Sequence, residues 1–397
     1  MTAPERGAGG RGPLAGIRVL EVGHILSGPF AGMLLADLGA DVIKIEPADG
    51  DLSRQVASPQ VGGHNTYFAS LNRNKRSVFI DLATDEGQAQ LGALAATAHA
   101  LLVNLRASAV RKLGLHYDAM RRFNPKIVCV ALTGYGLDGP AAEWPSFDYV
   151  VQARAGVAAM TGEPGGPPTL AGYSVVDNSA GIMAALGLVA KVLEGSGGQV
   201  DVSLFDSMLS QLNYRAAASL NGDVAPARSR LGAHAFYVPA QLFQTSSGYL
   251  ALFVTRDDHW CRLCEEIGHP EWADDPRFAS MQARFENRAE LLDVLEPVLK
   301  ESSAAEWERR LRPLDLAVGE VEELADALES DLVASRGMVV SVETDDGPLR
   351  MVGSPIHFDD ATPEYRPPPR LHEHTEEILG ATQKGEAPED LSERTTR

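Results

Sequence analysis

The chain has 397 residues, 44% of them hydrophobic and 22% charged, enough to bury one or two substantial cores. Its formal net charge of -19 argues against general nucleic-acid binding, which needs a basic face, but leaves room for a local basic pocket around an anionic cofactor. Three cysteines are too few for a disulfide framework, no apolar run reaches bilayer length, and MTAPERGAGGRG lacks a signal core; a cytoplasmic protein with a flexible N-terminal tail is expected.

The segment GIRVLEVGHILSGPFAGMLLADLGADVIKIEP reads as a strand at 17–22, a helix spaced through Phe30, Met33, Leu34, Leu35 and Leu38, and a strand at 42–46. Such a βαβ unit opens a parallel sheet, with Ser27 as the expected N-cap and Pro29 in the first turn. Alternation continues with SVFIDL at 77–82, a helix at 85–98, ALLVN at 100–104 and IVCVALT at 127–133. The glycine- and proline-rich stretch 162–172 then leads into the helical run NSAGIMAALGLVAKVLEG and the strand-helix pair QVDVSLFDSMLSQL.

Periodicity fades from about Gly222, and GYLALFV is followed by amphipathic helices to about residue 330, one of them headed by a capping box from Ser303 to Glu306. GMVVSVET and PLRMVG then predict a hairpin around TDDG. The expected organisation is a large domain over 1–221, a small one over 222–335, and a return to the large domain over 336–397 with a disordered tail from about Thr382.

Glu46 ends the second strand where a ribose-binding acid would lie, but the loop reads Gly23-x-x-x-x-Gly28-Pro29-x-x-Gly32 and not G-x-G-x-x-G, which speaks against a dinucleotide cradle. Cys261 and Cys264 form a C-x-x-C without a second ligand pair, so buried thiols are expected and no metal. Basic residues gather in LNRNKR at 71–76 and again at Arg106, Arg111 and Lys112, each beside a strand; they fit solvated surface or the phosphates of a large anion. Asp177, at the head of a long helix, is either its N-cap or a nucleophilic carboxylate whose oxyanion nearby amides would stabilise.

The ordered set GIRVLEVGHILSGPFAGMLLADLGADVIKIEP, LNRNKRSVFIDL, VNLRASAVRKLGL, ALTGYGLDGP, SFDYVVQARAG, SVVDNSAG, GQVDVSLFDSML and LHEHTEEIL resembles class III CoA-transferases of the formyl-CoA transferase (CaiB/BaiF) type, from about Pro13 to Gly380. The resemblance implies an α/β fold: a large Rossmann-like domain with a parallel sheet, a smaller inserted α/β domain, and an interlocked homodimer holding coenzyme A. It also implies acyl-CoA and carboxylate substrates with no metal, nucleic acid or membrane. Asp177 matches the family's catalytic aspartate, which forms a mixed anhydride and then an aspartyl-CoA thioester. CoA contacts are implied for His24, Asn72, Asn74, Lys75, Asn104 and Arg106, and for Lys112 where a family arginine meets the phosphates.

Some positions depart from that pattern. Leu26 stands where formyl-CoA transferases carry a glutamine, GAHAFYVPAQLF with Gly232 and His234 replaces a glycine-rich lid, and LDLAVGEVEELADAL lacks a proline-containing pattern. Racemases of the same fold place a histidine at the position of Phe147, and phenylalanine cannot move a proton. Racemization and non-catalytic CoA binding are the alternative functions.

Overall fold

A computed structural model describes residues 12–222, 226–360 and 364–383. The expected N-terminal tail and the C-terminal tail beyond Gln383 lie outside them, whereas Thr382 and Gln383 continue the last helix. The chain divides into two compact units, one from Met1–Ala155, Gly172–Ala216 and Asp331–Arg397, the other from Gly156–Ala171 and Ala217–Ser330. The segment Gly156–Ala171 therefore lies with the second unit, not within an unbroken large domain over 1–221. Arg228 ties it there through hydrogen bonds to the carbonyls of Ala159 and Gly166.

In the first unit the apolar runs become β1 (Arg18–Val22), β2 (Asp41–Glu46), β3 (Arg76–Phe79), β4 (Ala100–Val103), β5 (Val128–Thr133) and β6 (Gly198–Ser203). They pair in the order β3-β2-β1-β4-β5-β6, all parallel, as a six-stranded sheet among the described residues. Strands such as RVLEV and ALLV are buried at every position, as expected for a sheet covered on both faces. The order turns back between β1 and β4, and in doubly wound sheets that switch opens a crevice at the carboxyl ends of the strands.

Helix α1 (Ser27–Asp37) follows β1; its N-cap position is Leu26, with no side-chain cap, so Ser27 is its first helical residue and not the expected cap. Helices α2 (Thr66–Asn72), α3 (Asp85–Ala95), α4 (Asp148–Arg154) and α5 (Val175–Glu194) complete the layers used below. At 20 residues and mean hydropathy 1.4, α5 is long and apolar enough to cross a membrane, against the expectation that no run would be. Its Val176, Ala180, Ala184 and Leu188 are buried, and it packs on α1, β5 and β6. Ile182, Met183, Leu186 and Leu193 remain exposed.

The unit is completed from beyond residue 331. Strands Val339–Thr344 and Gly347–Val352 form the expected hairpin, turning at Asp345 and Asp346 and packing Val342, Leu349 and Met351 with Ala69. Farther on, the Arg366 amide donates to Asn74 Oδ1 (2.7 Å), the His374 amide donates to the Ser77 carbonyl (2.9 Å), and Ile378 enters the main core. The outer edge of β3 is thereby paired and covered.

In the second unit Ala240–Gln244, Tyr249–Phe253 and Ala317–Glu320 form an antiparallel sheet, backed by a core that includes Trp260, Leu263, Cys264, Phe278 and Trp307. Cys264 is buried within it, which pushes its thiol up to about 12, and Cys261 is half-buried. The buried Arg284 donates to the carbonyls of Val238 (3.0 Å) and Phe278 (2.9 Å) and pairs with Asp257 (2.8 Å). Half of the capping box forms: Ser303 Oγ accepts from the Glu306 amide (3.2 Å), but the Glu306 carboxylate pairs with Arg309.

Beneath the β1–α1 turn lies a fully buried ionic cluster. Lys44 Nζ meets Glu21 Oε1 (2.8 Å), Asp51 Oδ2 (2.7 Å) and the Gly23 carbonyl (3.0 Å). Lys75 Nζ meets Glu21 Oε2 (2.7 Å), Asn72 Oδ1 (2.9 Å) and the Pro29 carbonyl (2.7 Å). Burial pulls Lys44 down, but Glu21, Asp51 and Glu46 more than offset it and hold the ammonium charged. Lys44→Met leaves two carboxylates without their shared cation and should cost about 3–5 kcal/mol in urea unfolding, as for other broken buried ion pairs.

Candidate active site

The turn at residues 23–28 leaves the carboxyl end of β1, and Asn104 leaves that of β4, so the two face each other at the sheet's switch. Asn104 Oδ1 accepts from the His24 amide (2.9 Å), while Nδ2 donates to the His24 carbonyl (2.9 Å) and to Ser27 Oγ (3.3 Å). A Cβ on Gly28 would lie 2.7 Å from Asn104 Cγ, so the close brace requires glycine there. Ile25 adopts φ +67°, a strained conformation for a β-branched residue, and its amide donates to Asp51 Oδ1 (3.0 Å). The ionic cluster holds that Asp51, and through it the turn.

Helix α5 packs tightly on α1: a Cβ on Gly181 would lie 2.9 Å from the Ser27 carbonyl. One turn earlier, Asp177 is half-buried in hydrogen-bond reach of the Ser27 hydroxyl. It is not the cap of its helix. Asp148, at the start of α4, serves instead: its Oδ2 accepts from the amides of Val176 (2.7 Å) and Asp177 (3.1 Å), and its Oδ1 accepts from Gln152 Nε2 (2.5 Å). Those two amides are therefore occupied and do not serve as the expected oxyanion donors.

Burial, then the neighbouring Asp148 carboxylate, push the Asp177 carboxyl up to about 7, against the pull of the Ser27 hydrogen bond. The half-buried Tyr67 phenol on α2 is raised by burial and then by Asp177, which places it in the same electrostatic neighbourhood. Burial lowers the half-buried His24 imidazole, with Asp51 opposing, so the ring is neutral at neutral pH. A carboxylate freed from capping, beside a hydroxyl and partly removed from water, is chemically suited to attack an activated acyl carbon.

The other residues expected at the cofactor divide sharply. Asn72 and Lys75 are buried with their side chains engaged inside the protein, and Asn74, at φ +65°, bonds Asp37 Oδ1 (2.9 Å) and the Arg366 amide. These three side chains frame their loop, with Asn74 half-buried. Asn104 braces the turn instead of standing free. Arg106 and Lys112 are exposed and form no ion pair among the described residues, while Arg111 pairs with Asp138 (2.8 Å).

Glu46, the residue of the dinucleotide comparison, is buried between Arg54 (2.7 Å) and Ser77 (2.6 Å), occupied within the fold. His234, in the second unit, accepts the amides of Phe236 and Tyr237 (each 3.2 Å) and so shapes its own loop. Sequence reasoning missed Ser27, Tyr67 and Asp148. The motif SFDYV holds the last of these, one position after Phe147.

The profile of CoA-transferase family III matches residues 14–375. The chain is 33% identical to the succinate–glutarate CoA-transferase of Agrobacterium fabrum, covering 92% of this chain and 95% of that protein. It is 32% identical to the acetyl-CoA:oxalate CoA-transferase of Acetobacter aceti, over 91% of this chain and 94% of that one. An aspartate-to-alanine mutant of Rv3272 from Mycobacterium tuberculosis superposes with a TM-score of 0.84 at 30% identity, over 94% of this chain and all of that chain. With a parallel sheet, smaller antiparallel sheets and a match across nearly its full length, the chain belongs to CoA-transferase family III.

Proposed function

We propose that this CoA-transferase works through Asp177 as the temporary carrier of both acyl group and CoA. The supporting observation is a half-buried carboxyl, relieved of helix capping by Asp148, at the switch point of the sheet. An Asp177 oxygen attacks the donor thioester carbon, the carbon-sulfur bond breaks, and a mixed anhydride and CoA thiolate form. The thiolate then attacks the Asp177 Cγ, releasing the donor acid and leaving an aspartyl-CoA thioester. The acceptor carboxylate reverses these steps with its own oxygen and acyl carbon. Burial serves this chemistry by keeping water from the anhydride.

Arg106 and Lys112, exposed and without ion pairs among the described residues, are the cations we assign to the CoA phosphates. The relatives named for succinate, glutarate and oxalate favour short dicarboxylates as the exchanged acids. Phe147, 64% exposed, offers no proton shuttle where a racemase would need one. The exposed apolar residues Ile182, Met183, Leu186 and Leu193 of α5 support a homodimer, for which the sequence resemblance implies an interlocked form.

Incubation with succinyl-CoA and hydroxylamine should leave a hydroxamate on Asp177, found by peptide mass spectrometry, and Asp177→Ala should abolish both the adduct and turnover. Transfer persisting in that variant would refute the carrier role. Because attack needs the ionised carboxyl, turnover should fall as pH drops through about 7.

The same shift links to stability. The unfolded chain holds an ordinary aspartate while the folded chain raises it to about 7, so stability falls as pH rises from the ordinary aspartate value of 3.8 to about 7, and the full penalty is present above that. Asp177→Asn should thus be inactive yet more stable at pH 8 by on the order of 1–2 kcal/mol, after discounting for solvent screening, with the gain absent once both states are protonated. Denaturation at pH 8 and about pH 3, below the ordinary aspartate value, checks the sign. Sedimentation should give twice the chain mass, and Ile182→Glu with Leu186→Glu should shift it to that of a single chain.

A further inference from the structure

Asp148 is used by no step of the exchange, yet it is buried and one of its carboxylate oxygens accepts two amides of the element that carries Asp177. An aspartate in the first turn of a helix ordinarily turns back to satisfy the free amides there. Asp177 sits in that turn, and it would be drawn into this role if the amides were vacant. Asp148 occupies them from another helix, and Gln152, one turn along α4, fixes the carboxylate that does so.

We infer that Asp148 is a positioning residue for acyl exchange: it caps α5 in place of Asp177, leaving the Asp177 carboxyl free to receive the acyl group. This inference rests on the carrier role proposed above. The arrangement has a second consequence, since a negative charge at this distance disfavours ionisation of Asp177. The groups that bear on Asp177 are the Asp148 carboxylate from α4, the Ser27 hydroxyl from α1 and the Tyr67 phenol from α2. A less stabilised carboxylate is the better nucleophile once ionised, so one side chain sets both the aim and the reactivity of the other.

The two effects separate in Asp148→Asn and Asp148→Ala. Asparagine keeps an oxygen that can accept from the Val176 and Asp177 amides but carries no charge, and Gln152 can rotate to meet its amide group. Alanine removes both. With succinyl-CoA as donor and glutarate as acceptor, Asp148→Ala should lower kcat about 100-fold while KM for succinyl-CoA changes by less than about threefold, the scale expected when a reacting group is misaligned. Asp148→Asn should recover most of that kcat, and the acid limb of its pH profile should move to lower pH because the charge that raises Asp177 is gone.

Hydroxylamine trapping on the wild-type enzyme keeps the two readings apart. If Asp177 is never labelled, the carrier role itself fails. If Asp177 is labelled but Asp148→Ala keeps wild-type kcat, or if the asparagine variant is as slow as alanine with an unmoved acid limb, Asp148 does not position it.

Discussion

The site depends on charge placed where water cannot reach. Glu21, Lys44, Asp51 and Lys75 neutralise one another under the β1–α1 turn, and the Lys44 and Lys75 ammonium groups also hold the Gly23 and Pro29 carbonyls at its two ends. Buried ion pairs are weak devices for stability, because desolvation cancels much of their attraction. They are stronger as devices for fixing a shape. Here the fixed shape is a turn containing a β-branched residue at positive φ, which a less constrained loop would relax.

From that turn the constraints run outward in a short chain of contacts. Asp51 holds the Ile25 amide, Asn104 clasps His24 and reaches Ser27, and Ser27 meets Asp177 across the close approach of α1 and α5. Asp148 secures the far side of Asp177 from α4. The acid is thus gripped by groups from separate stretches of sequence, while its own oxygens stay unencumbered by the helix it belongs to. This explains how a partly buried aspartate can be well placed without being tied down by an ion pair.

Much of the architecture was legible because sheet strands buried on both faces are written as apolar runs, and the βαβ punctuation is strong around β1, α1 and β2. The chemistry was less so. In the stretch of Asn72, Asn74 and Lys75 a cluster of polar residues carries no mark of burial; only the fold shows Lys75 turned inward to Glu21. Ser27 has the residue type of a cap, although the chain enters α1 one residue earlier. Asp148 was invisible as a cap for the opposite reason, since it acts on amides 28 and 29 positions away and no local pattern records such a partner.

The covering of β3 by residues near the end of the chain carries a consequence for biosynthesis. The strand at Arg76–Phe79 is made early, but the groups that satisfy its outer edge, at His374 and Thr375, are made nearly 300 residues later. During translation an unpaired strand edge therefore stands open beside an incomplete core still lacking Ile378. Until the stretch around Ile378 clears the ribosome, that edge is where the nascent enzyme is most open to pairing with a neighbour.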